Sequence, residues 1–249
     1  MSPHRPRGAA LALAALLALG HPAASQEAAP LAPPRLPAAA FPKPDRPVAE
    51  IISPTWASER ERDAVDEAGQ VVRLLDIRPG QSVADIGAGS GYHTVRLAKA
   101  VGPEGRVLAV DAVPRYLAEL GRRLKREGIT NATLGLADGH DPRLPAASVD
   151  VALLVHMYHE IAQPFAFLAN LAPSLRPGAR VGIIDLDRPT WEHGTPAGLL
   201  RCELAAVGYR EAAFHPLKGN IGYLAVFTAP EEGQVKAPGE VVPCRVPRR

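Results

Sequence analysis

Val83-Ala-Asp-Ile-Gly-Ala-Gly-Ser-Gly-Tyr92 decides how the rest of this chain is read. A short apolar run carrying Asp85 meets glycines 87, 89 and 91, and an amphipathic run over residues 92–100 follows at once. That is a strand, a tight turn and a helix. Glycine accepts positive φ and has no Cβ, so such a turn lets backbone approach a ligand while the new helix presents unpaired N–H groups to it. The stretch points to a nucleotide-like ligand without naming it.

Outward from this turn the pattern is regular. Strands are expected at 83–86, 106–111, 132–137, 149–155 and 179–185, with helices at 92–101, 114–127 and 163–175 between them. Strands that alternate with helices imply right-handed crossovers and a parallel sheet covered on both faces. The apolar strands fit burial on both sides. Upstream, 58–75 has apolar residues at helical spacing, and Ser53-Pro54-Thr55 can start that helix. Downstream, a polar loop over 187–195 leads to a helix at 196–207. Two short β-like runs, 211–217 and 222–228, then form a hairpin.

The 249 residues carry a net charge of +2, with 47% hydrophobic and 22% charged residues, an ordinary globular balance for one domain. The basic excess is too small and scattered to argue for nucleic acid. Arg5 and Arg7 precede 11 apolar residues, Ala9 to Leu19, and Ala23-Ala24-Ser25 offers a cleavage site. Such a run is too short to span a bilayer, and with its flanks it reads as a secretory signal peptide over 1–25; the bland alternative is an Ala-rich cytosolic start. Export, to the periplasm, is therefore expected, with no integral membrane segment after cleavage. Residues 26–50, with seven prolines from 30 to 47, read as an extended linker outside the core; 51–229 is the domain and 230–249 a mobile tail. Cys202 and Cys244 are either a disulfide or two thiols.

The glycine turn and four further pieces resemble the class I S-adenosylmethionine-dependent methyltransferases. The turn reads Asp85-x-Gly87-Ala88-Gly89-x-Gly91-Tyr92, whereas a dinucleotide fingerprint needs glycine where Tyr92 stands. Asp111 ends the second strand, where a carboxylate can bind both ribose hydroxyls. Asp138-Gly139 ends the third, and Leu144 to Asp150 and Leu175 to Val181 resemble the family's entries to strands four and five. The resemblance covers residues 58–228. It implies a Rossmann-like, doubly wound, mostly parallel seven-stranded sheet with an antiparallel last strand. S-adenosylmethionine is the implied cofactor, with Asp85, Gly87, Ala88, Gly89, Gly91, Tyr92, Asp111, Asp138, Gly139 and His156 as its contacts. Val155 to Ile161, Asp187 to Pro196 and Cys202 to Tyr209 resemble a bacterial subgroup of predicted methyltransferases with export signals, which names no acceptor.

Ligands of doubly wound sheets sit beyond the strand carboxyl ends. His156, Tyr158, His159 and Glu160 after strand four should therefore face Asp187, Arg188 and His193 after strand five. His156, Tyr158, His159 and Asp187 are the candidate catalytic residues, with His156 first as proton acceptor or, equally, as a pocket-shaping residue. Tyr158 can be a pocket wall, and Glu160 a helix cap. The histidines and acids are suitable metal ligands but match neither H-E-x-x-H nor H-x-x-E-H, so no metal is expected. Methyl transfer to a small molecule is the leading function. A non-catalytic S-adenosylmethionine-binding protein and an NAD(P)-dependent oxidoreductase are the alternatives. Oligomeric state is not legible.

Overall fold

The computed structural model describes Met1 and residues 35–51, 57–231 and 233–245. The signal-peptide reading, apart from Met1, and the helix start at Ser53-Pro54-Thr55 lie outside these residues. No helix among those described is long and apolar enough to cross a membrane.

Seven strands form one sheet: β1 (Ser82–Ile86), β2 (Arg106–Asp111), β3 (Ala132–Leu136), β4 (Val149–Val155), β5 (Leu175–Asp185), β6 (Arg210–Pro216) and β7 (Tyr223–Thr228), in the order β3-β2-β1-β4-β5-β7-β6. The first five strands pair in parallel, and β7 runs antiparallel between β5 and β6. The chain winds outward from β1 through β2 to β3, then returns to β4 on the other side of β1. The crevice at that reversal is where a doubly wound sheet binds ligands.

Alternation along the strands builds two core layers. Ala84, Ile86, Ala152 and Leu154 face one side with α5 (Pro164–Leu171) and α6 (Ala197–Val207). Val83, Val151 and Leu153 face the other with α2 (Glu67–Leu74) and α3 (Tyr92–Val101). Leu120 and Leu124 of α4 (Pro114–Glu127) close a smaller cluster against Ala88, Val95 and Ala109.

Three expectations change. The helix expected over 58–75 is two helices, α1 (Glu59–Ala64) and α2, broken at Asp66, whose φ is 52°. Its carboxylate folds into the space left by the missing Cβ of Gly69. The helix expected over 163–175 ends at Leu171; a turn containing Pro173 follows, and β5 starts at Leu175 rather than 179. Third, residues 35–50 are not a linker standing off the core, and the described tail is not loose. Phe41 is buried in the core, Arg46 makes a buried ion pair with Glu203 at 2.8 Å, and Asn170 bonds the Leu36 N–H and carbonyl at 2.9 and 3.0 Å. A proline-rich segment has few N–H groups to satisfy, so a handful of side chains suffices to dock it.

The tail lies beside this segment. Asp45 and Arg245 form a parallel bridge, Val241 is buried, and Cys244 is disulfide-bonded to Cys202 of α6 with Cα atoms 5.9 Å apart. The bond closes a loop of 42 residues, which chain entropy makes worth about 3–4 kcal/mol. Replacing both cysteines with serine is expected to lower unfolding free energy by that amount, read as a lower urea midpoint with a slope equal to or steeper than that of the disulfide-bonded protein.

Candidate functional site

A cleft opens at the reversal between β1 and β4. Its floor is the glycine turn: Gly87 and Gly89 have φ of 73° and 52°, and a Cβ on Gly87 would stand 2.9 Å from the Met157 side chain. The Gly87 and Ala88 N–H groups donate to the Val110 carbonyl at 2.8 and 3.1 Å, which ties the turn to the end of β2. Asp111 completes the tie: one carboxylate oxygen accepts from the Gly89 N–H and the other from the Val113 N–H, both at 2.8 Å.

Asp85, Gly87, Ala88, Gly89, Tyr92, Asp111, Asp138, Gly139 and His156 all line the cleft. Gly91 does not line it. It stands at the start of α3 with φ of 84°, where a Cβ would meet Leu120 at 2.2 Å, so its smallness serves helix packing. Asp85 is buried beneath the turn, and the Thr94 hydroxyl donates to it at 2.5 Å; burial pushes its carboxyl up. The Asp138 carboxylate is held by His140 at 2.7 Å and Arg143 at 3.1 Å. Tyr92 is stacked between the guanidinium groups of Arg62 and Arg96, 3.7 and 3.8 Å from its ring centre, and its hydroxyl donates to Asp63 at 2.9 Å.

The catalytic candidates divide. His156, at the carboxyl end of β4, lines the cleft with φ of 50°. His159 lies behind it, only 2% exposed. Tyr158 is no cleft residue: it is fully buried, with Arg46 5.6 Å from its ring, and burial next to Glu203 raises its hydroxyl far above the usual range. Asp187 also corrects the expectation. It is exposed, and accepts from the Ala197 N–H at 2.9 Å at the start of α6. The carboxylate that serves the histidines is Asp185, wholly buried, 3.0 Å from His159 Nδ1 and 3.9 Å from His156 Nδ1, with the Thr195 hydroxyl at 2.6 Å. Burial alone would push this carboxyl up; His156, His159 and Thr195 outweigh it and hold it at about 2. A lone acid ending an apolar strand is the signal that marked Asp111, and it was present at Asp185 too.

Glu160 lines the cleft, and one ligand-type atom from each of His159, Glu160 and His193 lies within 4.8 Å of the other two. Burial, reinforced by Asp111 and Asp185 against the pull of His159, pushes Glu160 up to about 7.

A buried triad beside the glycine turn has no clear signal in the sequence. Glu67 accepts from Arg62 at 2.6 and 3.0 Å and is bonded to His93 Nε2 at 3.0 Å; Arg62 and His93 both line the cleft. Burial pushes the His93 ring down, against the pull of Glu67; facing a carboxylate, Nε2 carries the proton, and Nδ1 has no hydrogen-bond partner among the described residues.

A seven-stranded sheet of this order, reversing at β1 and β4, is a Rossmann-like doubly wound fold, and solved S-adenosylmethionine-dependent methyltransferases share it. Residues 83–178 match the family model described as a methyltransferase domain. A solved S-adenosylmethionine-dependent methyltransferase from Aquifex aeolicus superposes with a TM-score of 0.61 at 21% identity, covering 72% of this chain and 98% of that one. The protein-L-isoaspartate O-methyltransferase of Aeropyrum pernix is 34% identical over 163 residues, 62% of this chain and 58% of that protein. The nocamycin O-methyltransferase of Saccharothrix syringae is 31% identical over 116 residues, 47% and 41%. The chain spans between 33% and 66% of the length of the curated relatives compared.

The triad sets an acid limit. Burial would raise Glu67, but His93 and Arg62 outweigh it and bring its carboxyl from the ordinary 4.5 down to about 2. A carboxyl depressed in the folded state adds stability that is complete above about pH 4.5 and is lost as pH falls toward 2. Glu67→Gln is expected to flatten the decline of unfolding free energy across that window, measured by urea titration at successive pH values.

Proposed function

We propose that this protein is an S-adenosylmethionine-dependent methyltransferase acting on an oxygen of a small-molecule acceptor. The observation that carries the reading is Asp111: a strand-end carboxylate, facing the cleft and bonded to the glycine turn, offers its remaining lone pairs where a ribose would lie. The rest of the cleft fits the same ligand. Gly87 leaves no room for a side chain over the turn, and the His93 Nδ1 acceptor and the Arg62 guanidinium flank it with groups that suit an ammonium and a carboxylate.

Bound there, S-adenosylmethionine supplies a methyl group on a positively charged sulfur that is already a good leaving group. The protein's part is placement. Holding donor and acceptor in line can contribute about 7–11 kcal/mol, against about 3–5 kcal/mol for a general base. His156 is the base in this reading. Its ring takes the acceptor hydroxyl proton, and Asp185 at 3.9 Å stabilises the imidazolium that forms. With the donor held in that place, the acceptor oxygen would take the methyl group in line, and the sulfonium sulfur would keep the electrons of the broken C–S bond. Ile51, Met157 and Phe167 give the same cleft an apolar wall. Two of the curated relatives are named as O-methyltransferases, which supports an oxygen acceptor.

Purified protein is expected to bind S-adenosylhomocysteine and not NAD in calorimetric titrations; absence of S-adenosylhomocysteine binding would sink the reading. His156→Asn keeps a residue that tolerates a left-handed backbone, so it should retain that binding while isotopic methyl incorporation into a cell extract falls by about 10²–10⁴-fold. Incorporation equal to wild type would remove His156 from the chemistry.

The same proposal places the mature protein in the periplasm. The charged, apolar and small-residue regions of 1–25 support export, as does the Cys202–Cys244 bond, since disulfides persist in oxidising compartments. Residues 1–50 fused to a reporter active only outside the cytosol should give an active fusion; a silent fusion made at normal levels counts against export.

A further inference from the structure

Behind His156 three side chains converge that methyl transfer does not use. A turn at Tyr158–Glu160 presents His159 and Glu160, and a second turn at Thr190–Glu192 ends on His193. One potential ligand atom from each lies within 4.8 Å of the other two, and the histidine rings meet edge to face with centres 5.6 Å apart. Both oxygens of Asp185 stand 3.0–3.1 Å from His159 Nδ1. That bond fixes Nε2 as the ring's lone-pair nitrogen, the orientation a carboxylate imposes on a metal-bound histidine. His193 Nδ1 is buried with no hydrogen-bond partner among the described residues. Its carbonyl is held by Arg188 at 3.3 Å and its N–H by the Thr190 carbonyl at 3.1 Å, in a left-handed backbone with φ of 56°.

We propose that His159, Glu160 and His193 bind a divalent transition-metal ion, Zn2+ in the first instance, whose open position faces the acceptor end of the cleft. Two imidazoles and one carboxylate suit Zn2+ and its neighbours in the first transition row, whereas Mg2+ and Ca2+ favour all-oxygen sites. Three protein ligands leave a fourth position open, as in catalytic rather than structural zinc sites. Bonds of 2.0–2.1 Å at tetrahedral angles put ligand atoms roughly 3.4 Å apart, so closure from within 4.8 Å asks only for rotation of a glutamate and a partly exposed imidazole. The sequence does not show a helical zinc motif because the ligands come from a tight turn after β4 and a loop after β5. Glu160 is the ligand that also lines the cleft, and this directs the open position toward an oxygen donor of the acceptor. That role rests on the methyltransferase reading; the binding of the ion does not.

The test uses the full chain without a histidine tag, stripped with chelator, dialysed against Zn2+ or Co2+ and then against metal-free buffer. Wild-type protein should keep close to one equivalent by mass spectrometry and show visible absorption bands of low-coordinate Co2+. His193→Ala and Glu160→Gln should each weaken retention by at least about 10-fold. With metal stripped from both proteins, the thermal melting point and S-adenosylhomocysteine binding of His193→Ala should stay close to those of wild type. Wild type holding no more metal than His193→Ala would overturn the proposal, as would Co2+ without such bands. Metal retention without S-adenosylhomocysteine binding would leave the ion site standing and remove the methyltransferase reading instead.

Discussion

The carboxylate of Asp111 does two jobs with two backbone bonds, and the geometry of the cleft follows from them. One oxygen holds the Gly89 N–H and the other the Val113 N–H, so the end of β2 fixes both the turn after β1 and the approach to α4. Parallel pairing supplies the register: Ile86 lies opposite Val110 on one side and Leu154 on the other, so the residues just beyond these three strands gather at one edge. Charge-assisted bonds of this kind are stronger than neutral ones. They also leave lone pairs free on each oxygen, so the same carboxylate can serve the fold and a ligand.

Two buried ion pairs attach the remaining pieces. Arg62–Glu67 joins α1 to α2 at the cleft, and Arg46–Glu203 fastens the proline-rich segment to α6. A buried pair is weak ground for claiming stability, since desolvation can exceed the Coulomb gain. Its directional demand is another matter. Arg46 also points its guanidinium at the Tyr158, His159 and Ile161 carbonyls, at 3.1–3.5 Å, so the segment can dock in one place only. Residues far from the sheet in sequence thereby shape the wall behind His156.

Most of the fold was legible because period and punctuation are local properties. The apolar runs, Gly87 to Gly91 and the acids at 85 and 111 place β1, β2 and the crevice between β1 and β4 without knowledge of any contact. The candidate site was legible up to the ends of the strands. Asp187 was misplaced because the loop after β5 folds back on itself: the Leu186 carbonyl takes both the Arg188 and Thr195 N–H groups, which turns Asp187 out to α6 and brings Thr195 onto Asp185. Tyr158 was misplaced because its ring turns into the core beside Arg46 and Glu203, partners supplied by the docked segment and α6. Arg62, Glu67 and His93 were illegible for a different reason. Their association depends on a helix break at Asp66, an event set by one side chain filling the space over one glycine. The docked segment and tail were misread because composition reports what a strand can do alone, and here Asn170, Gln163 and Arg46 of other elements supply its partners.

His156 and His193 both sit in the left-handed region, at φ of 50° and 56°, with no glycine to relieve them. Such a conformation costs an L-residue roughly 1–2 kcal/mol, a sizeable share of a domain's net stability of about 5–15 kcal/mol. Glycine at either position would relax the backbone and leave the loop free to wander. The two rings are therefore aimed by a strained main chain, which makes this edge of the sheet a trade of robustness for placement. Selection for stability alone would favour glycine or asparagine over histidine at both positions.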